Sequence, residues 1–137
     1  MIVVDASVAF KWFTSENEVY REKALIILQN HLKNIETIMV PSLIYLEVAN
    51  ALVTKIKSTE KTIKKNLQFL NEADLKIDSF TKTDYINAAI LAKKHKTTVY
   101  DMLYAVIAKK LNTILITADD KFIEKTKFSF VKLIRDY

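Results

Sequence analysis

The chain has 137 residues, half of them hydrophobic, and its 21 Lys and Arg against 16 Asp and Glu give a net charge of +5. This length and apolar content fit one domain, residues 1–137, with a buried core. Cysteine and glycine are both absent, which excludes disulfides and thiolate metal sites and argues against phosphate-cradling loops, dinucleotide-binding motifs and the nucleophile elbow of α/β-hydrolases.

Net charge and hydropathy limit the partners and the cellular location to be expected for the protein. A small basic excess is compatible with a nucleic-acid partner and equally with an ordinary solvated surface. No apolar run approaches the ~20 residues of a membrane span, and the N-terminus lacks the basic region and the cleavage site of a signal peptide. We therefore expect a cytoplasmic protein without a membrane partner.

The first half of the chain alternates short apolar runs with helical patterns. Its predicted elements are a strand at residues 1–4, helices at 6–13 and from 15 to about 34, a strand at 37–41 and a helix from 42 to about 57. Ser15 and Glu18 form a candidate capping box for the second of these helices. Because the chain has no glycine, Asn34 is expected to supply the left-handed residue at the end of that helix.

The second half continues the alternation. Its predicted elements are a helix after residues 58–60, a strand at 75–80, helices from 81 and at about 100–111, a strand at 113–117, a brief helix through 123 and a strand at 128–133. Thr81 and Asp84 are the candidate cap of one helix, and Asn112 is a second candidate for a left-handed helix end. Strands that alternate with helices predict a three-layer α/β/α fold with a mostly parallel central sheet.

Acidic residues directly follow two of the predicted strands. Asp5 comes after the first strand, and Asp119 with Asp120 follows the strand that ends at Thr117. In a doubly wound sheet, ligands bind beyond the carboxyl ends of the strands. These acids are therefore candidates for a functional site, although each one taken alone is more often a helix N-cap.

Glu47 lies within the apolar helix that follows the second strand. Glu47, Asn50 and Thr54 share one helix face, and the residues around them are so apolar that the helix must be largely buried. A buried acid needs a positive partner, which a metal ion or a lysine supplies. Asp101 opens a later helix and is explained alone as a cap. Together, four acids without a nearby histidine or cysteine suit Mg²⁺ or Mn²⁺.

Four segments that contain these acids occur in a characteristic order. They are Asp5 with Ser7 after an N-terminal strand, L-E-V-A-N-A-L with Glu47 and Asn50, Y-D-M-L-Y-A-V-I-A with Asp101, and T-A-D-D-K-F with Asp119. Their order and spacing over nearly the whole chain resemble the motifs of PIN-domain nucleases, and most closely those of VapC-type toxins. The resemblance implies a metal-dependent endoribonuclease, a homodimer, and a cognate antitoxin whose tail blocks the site.

The resemblance also implies a role for each residue. The acidic quartet that binds Mg²⁺ or Mn²⁺ and carries catalysis consists of Asp5, Glu47, Asp101 and Asp119. Its polar support consists of Ser7, Asn50 and Thr117. Asp120 is the second choice for the position that Asp119 matches.

The resulting hypothesis is hydrolysis of RNA phosphodiester bonds by a metal-activated water. Without the four acids the remaining surface is more basic than +5 suggests, and Lys11 and Lys121 near the motifs are candidate phosphate contacts. A receiver or phosphatase domain is a rival, but the phosphatase signature needs a second Asp where this chain has Ser7. A non-catalytic RNA-binding or interaction module with the same fold is the alternative that the sequence leaves open.

Overall fold

The centre of the fold is a five-stranded parallel sheet, seen in a computed structural model that describes residues 1–137. The strands are β1 (Ile2–Val4), β2 (Ile38–Pro41), β3 (Lys76–Asp78), β4 (Leu115–Thr117) and β5 (Val131–Leu133). Their order is β3-β2-β1-β4-β5, and every neighbouring pair is parallel. The predicted mostly parallel sheet is therefore confirmed.

Seven α-helices connect the strands and cover both faces of the sheet. They are α1 (Ala6–Phe10), α2 (Arg21–Leu32), α3 (Leu43–Thr54), α4 (Glu60–Glu72), α5 (Lys82–His95), α6 (Val99–Lys110) and α7 (Asp120–Thr126). With this strand order, right-handed crossovers place α1 to α4 on one face and α5 to α7 on the other. The contacts of α1 with α3, of α3 with α4 and of α5 with α6 agree with the resulting three-layer α/β/α arrangement.

The two central strands, β1 and β4, are fully buried, whereas the edge strand β3 has no buried residue. Ile2, Val3 and Val4 are all buried, as expected for a central strand covered by helices on both faces. They belong to one continuous hydrophobic core of 30 residues. None of the helices is both long and apolar enough to cross a membrane.

The predicted capping box of Ser15 and Glu18 is wrong. Helix α2 begins only at Arg21, and its N-cap is Tyr20 in the left-handed conformation with φ 60°. The carboxylate of Glu18 instead accepts a hydrogen bond from Lys11 Nζ at 2.7 Å. An ion pair seven residues away has therefore replaced the local cap, and residues 14–20 form turns.

Other local predictions are confirmed. Thr81 and Asp84 form a reciprocal capping box at the start of α5. Asn34 and Asn112 both take the left-handed conformation that glycine would otherwise supply, with φ of 57° and 50°. The boundaries are less well predicted, since α3 ends at Thr54 rather than near Lys57, and the predicted strands at 75–80 and 128–133 shorten to β3 and β5.

His31 connects three segments of the fold. It is buried on α2, and its Nδ1 accepts a hydrogen bond from the Ile38 amide at 3.2 Å. Its Nε2 lies 3.1 Å from the carbonyl oxygen of Ala73, which follows α4. Because Nδ1 accepts, Nε2 carries the proton and donates it to this carbonyl. The ring thus joins α2 to the start of β2 and to the segment that leads into β3.

We expect His31→Ala to lower the free energy of unfolding by about 3 kcal/mol, because it leaves the buried Ile38 amide and Ala73 carbonyl without partners. Urea unfolding measures this change. His95→Ala is the control, since its ring contacts only the Lys125 carbonyl at 3.3 Å and the edge of the Phe128 ring at 5.1 Å between centres, and leaves no buried polar group without a partner. It should change stability by less than about 1 kcal/mol. Equal losses in both variants would contradict the connecting role of His31.

Candidate active site

An acidic cavity of about 280 Å³ lies at the edge of the sheet where the central strands end. β1 and β4 are neighbours, with Val4 opposite Ile116, so the residues that follow them emerge side by side. The acids that line the cavity are Asp5, Glu47, Asp101 and Asp119. The fold therefore brings the four carboxylates singled out from the sequence to one place.

Asp5 is the most deeply buried of these acids and is only 8% exposed. Its Oδ1 accepts hydrogen bonds from the Ser7 hydroxyl at 2.5 Å and from the Val8 amide at 3.1 Å, so it also caps α1. Burial raises the pKa of Asp5 from 3.8 to about 6. Hydrogen bonds from Ser7, Thr117 and Val8 oppose the shift, and the charge of Asp101 adds to it.

Ser7 and Thr117 join the ends of the two central strands. The Ser7 hydroxyl donates to Asp5 and accepts the Ala118 amide at 2.9 Å, which links the end of β1 to the end of β4. Thr117 is fully buried, and its hydroxyl oxygen accepts the Asp119 amide at 3.0 Å. These two hydroxyls therefore fix the backbone that carries Asp5 and Asp119.

Glu47 projects from α3 and meets Tyr104 of α6. The Tyr104 hydroxyl donates to Glu47 Oε2 at 2.6 Å. Burial raises the pKa of Glu47; the Tyr104 hydrogen bond lowers it, while the charges of Asp101 and Asp5 raise it further. Burial, together with the adjacent carboxylates, raises the pKa of Tyr104 as well, which keeps its hydroxyl protonated as a donor.

Asp101 lies in the first turn of α6, and Asp119 directly precedes α7. Asp101 Oδ2 accepts the Thr98 hydroxyl at 2.6 Å at the start of α6, and Asp119 Oδ1 accepts the Phe122 amide at 3.1 Å as the N-cap of α7. In Glu47, Asp101 and Asp119 the second carboxylate oxygen accepts no hydrogen bond from the protein. These oxygens are available to a ligand, although as the side chains stand no three acids are grouped closely enough to form a metal site.

Of the remaining residues predicted for the site, some line the acidic cavity and others lie outside it. Asn50 lines the acidic cavity together with the acids. Asp120 does not line it, because its carboxylate pairs with Arg135 at 2.9 Å and is exposed. Lys11 is buried beside Glu18 and does not reach the cavity. Lys121 lines an adjoining cleft that shares Asp101 and Asp119 with the cavity.

Two residues that the sequence did not assign to the site contribute to it. The Tyr104 hydroxyl binds Glu47. In the sequence, the only indication of this role is that Tyr104 lies one turn after Asp101 on the same helix. Lys55 lines the cavity, and its ammonium lies 5.6 Å from the centre of the Phe10 ring. Lys55 caps the C-terminus of α3 and comes two helical turns after Glu47, so helical periodicity pointed to it.

A larger cleft of about 540 Å³ lies between α5, α6 and residues 128–130. Its lining is mostly apolar, and its single acid, Asp84, is bound to Lys110 at 3.0 Å and to the Thr81 amide. This cleft therefore lacks the cluster of carboxylates that a metal ion would need. We therefore place the candidate active site in the smaller acidic cavity.

Because the pKa of Asp5 is raised from 3.8 to about 6, its ionisation costs the folded protein stability as the pH rises between these values. Asn in its place keeps an acceptor for the Val8 amide and removes the charge. We expect Asp5→Asn to raise the free energy of unfolding by about 3 kcal/mol near pH 7.5 and by about 1 kcal/mol near pH 4.5.

Urea unfolding in EDTA at the two pH values measures this difference. Ser7→Ala, which removes a hydrogen bond from the same carboxylate, should lower stability at the higher pH. A gain in Asp5→Asn that does not depend on pH would contradict the charge as its cause.

Comparisons with known proteins agree with the fold. The family model described as PIN domain matches residues 2–128. The crystal structure of PAE2754 from Pyrobaculum aerophilum is similar, with a TM-score of 0.72 and 19% sequence identity over 98% of this chain and 91% of that chain. At this identity the likeness shows the fold alone, and a search of curated proteins found no match. Because the family match extends over most of its length, the chain belongs to the PIN-domain family.

Proposed function

We propose that the protein is a metal-dependent endoribonuclease that hydrolyses RNA phosphodiester bonds and serves as the toxin of a type II toxin–antitoxin pair. PIN domains are typically nucleases. The observation that carries the proposal is the lining of one cavity by four acids from four separate segments of the chain. A non-catalytic module with this fold would have no need to bear the cost of burying Asp5 beside other carboxylates.

The donor set of the cavity fits Mg²⁺ or Mn²⁺. It consists of carboxylate, hydroxyl and amide oxygens, with no imidazole or thiolate, which is the chemistry that these hard cations prefer. Asp5, Glu47, Asp101 and Asp119 would hold the cation. A bound divalent cation would lower the pKa of a water and neutralise charge on the phosphate oxygens.

The chain's own residues supply positioning. Ser7 and Thr117 hold the backbone on either side of the cavity. The Tyr104 hydroxyl binds one oxygen of Glu47 and leaves the other without a protein partner. Asn50 adds amide donors and an acceptor at the cavity wall. Lys55 places a positive charge in the same wall, where it attracts a phosphate that the acids alone would repel.

The two lysines considered for phosphate contact, Lys11 and Lys121, differ in whether their charge is free. Lys121 lies in a cleft next to the acids and forms no ion pair, so its charge is available to RNA. Lys11 would have to leave Glu18 before it could contact a phosphate. We therefore favour Lys121 for this role.

The proposed partners are a second copy of the chain and a cognate antitoxin, with the protein acting in the cytoplasm. Ile86 and Ile90, one turn apart on α5, are 48% and 64% exposed and form an apolar face that association would cover. The cavity is open to solvent beside Asn50 and Lys55, both of which are exposed, so a segment of the antitoxin could reach the acids and block them.

Asp101→Asn and Glu47→Gln should lower kcat/KM for RNA cleavage by at least about 100-fold, because each removes a charge from the cation site. The test uses purified protein with single-stranded and structured RNA in Mg²⁺ or Mn²⁺, and EDTA should abolish cleavage. Asp74→Asn is the matched control. The carboxylate of Asp74 is exposed and pairs only with Lys76. The backbone of Asp74 has the left-handed conformation, which Asn also tolerates.

Cleavage that persists in EDTA, or in folded Asp101→Asn protein, would contradict the metal-dependent mechanism. RNA binding without cleavage under any metal would favour the non-catalytic module instead. Loss of activity in Asp74→Asn as well would show that the assay reports folding rather than the site.

Light scattering at micromolar concentration should give twice the mass of the chain. Ile90→Lys should return the protein to a monomer, because it places a charge in the apolar face of α5. Val19→Lys is the control, since Val19 is similarly exposed at 62% but lies in the loop before α2. A monomer for the unchanged protein would contradict the proposed homodimer.

A further inference from the structure

A second cleft, of about 380 Å³, adjoins the acidic cavity and is lined by three lysines as well as two acids. Two residues, Asp101 and Asp119, line both this cleft and the acidic cavity. The other charged residues of the cleft are Lys96, Lys121 and Lys125. We call these three residues with their surroundings the lysine cleft. A ligand bound in it would lie directly beside whatever occupies the acidic cavity.

Three separate features of the chain build the lysine cleft. Lys96 ends α5 in the left-handed conformation, with φ 55°, at the sharp turn into α6. Lys121 and Lys125 are one turn apart on α7 and therefore share a face of that helix. Helix α7 itself begins directly after Asp119, so the position of these lysines follows from the same strand end that carries an acid of the cavity.

None of the three lysines of the lysine cleft forms an ion pair within the protein. Lys125 Nζ donates to the carbonyl oxygen of Lys96 at 2.9 Å, which positions its ammonium without cancelling it. The ammonium groups of Lys96 and Lys121 have no carboxylate within 4 Å, since the lysine ion pairs of this protein involve other residues. The positive charges of Lys96, Lys121 and Lys125 therefore remain available to an anion that enters the cleft.

The lining of the lysine cleft indicates which anion it takes. Its one apolar residue, Phe122, is buried and presents no face on which a base could stack. Thr97 and Thr98 add hydroxyls, of which that of Thr98 already bonds Asp101. Lysines without a stacking partner contact the phosphates of a nucleic-acid backbone and carry no sequence information.

We propose that the lysine cleft binds a backbone phosphate of the RNA, adjacent to the phosphodiester bond held in the acidic cavity. This inference rests on the proposed function and assigns the path of the strand on one side of the cleaved bond. Contact in the cleft is independent of base identity. It therefore contributes to binding of any sequence and leaves the chemical step at the acids unchanged.

The test compares Lys121→Gln, alone and with Lys125→Gln, against Lys33→Gln, alone and with Lys64→Gln. The control lysines are exposed, and neither lines the acidic cavity or the lysine cleft. Lys121→Gln should raise KM about fivefold and the pair further, with kcat within about twofold, for RNAs of different sequence. Each lysine removed should reduce the slope of log affinity against log salt by about 0.7.

Shortened substrates locate the effect. RNAs trimmed on one side of the cleaved bond should lose their dependence on Lys121, whereas RNAs trimmed on the other side should retain it. KM and salt slopes in Lys121→Gln equal to those in Lys33→Gln would overturn the proposal, as would an effect confined to one sequence. Circular dichroism and thermal unfolding verify that the Lys125 variant, which loses the contact with Lys96, is folded.

Failure of the two proposals can be distinguished. If the unchanged protein cleaves RNA but the lysine variants match their controls, only the lysine cleft is wrong. If no RNA is cleaved, fluorescence anisotropy with a labelled single-stranded RNA still tests the cleft. Weaker binding in Lys121→Gln than in Lys33→Gln then supports it, and equal binding overturns it.

Discussion

The buried carboxylate of Asp5 is the constraint on which the rest of the site depends. Burial is the largest cause of its pKa of about 6, and hydrogen bonds from Ser7, Thr117 and the Val8 amide only partly oppose the rise. Asp101 shifts the balance further in the unfavourable direction. The fold thus concentrates negative charge at the end of β1, and a cation placed there relieves a repulsion that hydrogen bonds do not remove. This electrostatic cost, together with the lining of one cavity by four acids, is the main physical support for the proposed cation site.

The same side chains serve as helix caps and as the ligands of the proposed cation site. Asp5 caps α1, Asp119 caps α7, and Asp101 is held by Thr98 in the first turn of α6. A parallel sheet ends its strands where the next helices begin, so an acid at that junction both satisfies helix amides and faces the ligand edge. In Asp101 and Asp119 one carboxylate oxygen serves the protein and the other faces no protein donor. The two explanations of these acids are therefore compatible.

Local prediction succeeded where a short segment contains all of its own partners. The capping box of Thr81 and Asp84 is of this kind, and so are the left-handed asparagines at positions 34 and 112. It failed for Ser15 and Glu18, because Lys11 competes for the carboxylate of Glu18 and the chain turns until residue 20. A sequence motif identifies a possible hydrogen bond, but it does not show which competing partner is nearer.

By itself, the sequence determined the alternation of buried strands and helices, the placement of acids after β1 and β4, and an acid on the apolar helix α3. Hydrophobic periodicity carries this information, because it records which face of each element is buried. Only the tertiary structure decided that Tyr104 holds Glu47 across 57 positions, that Asp119 rather than Asp120 faces the cavity, and that Lys121 lies beside the acids. These relations depend on strand order and register, which bring together segments distant in the chain and leave no local pattern in it.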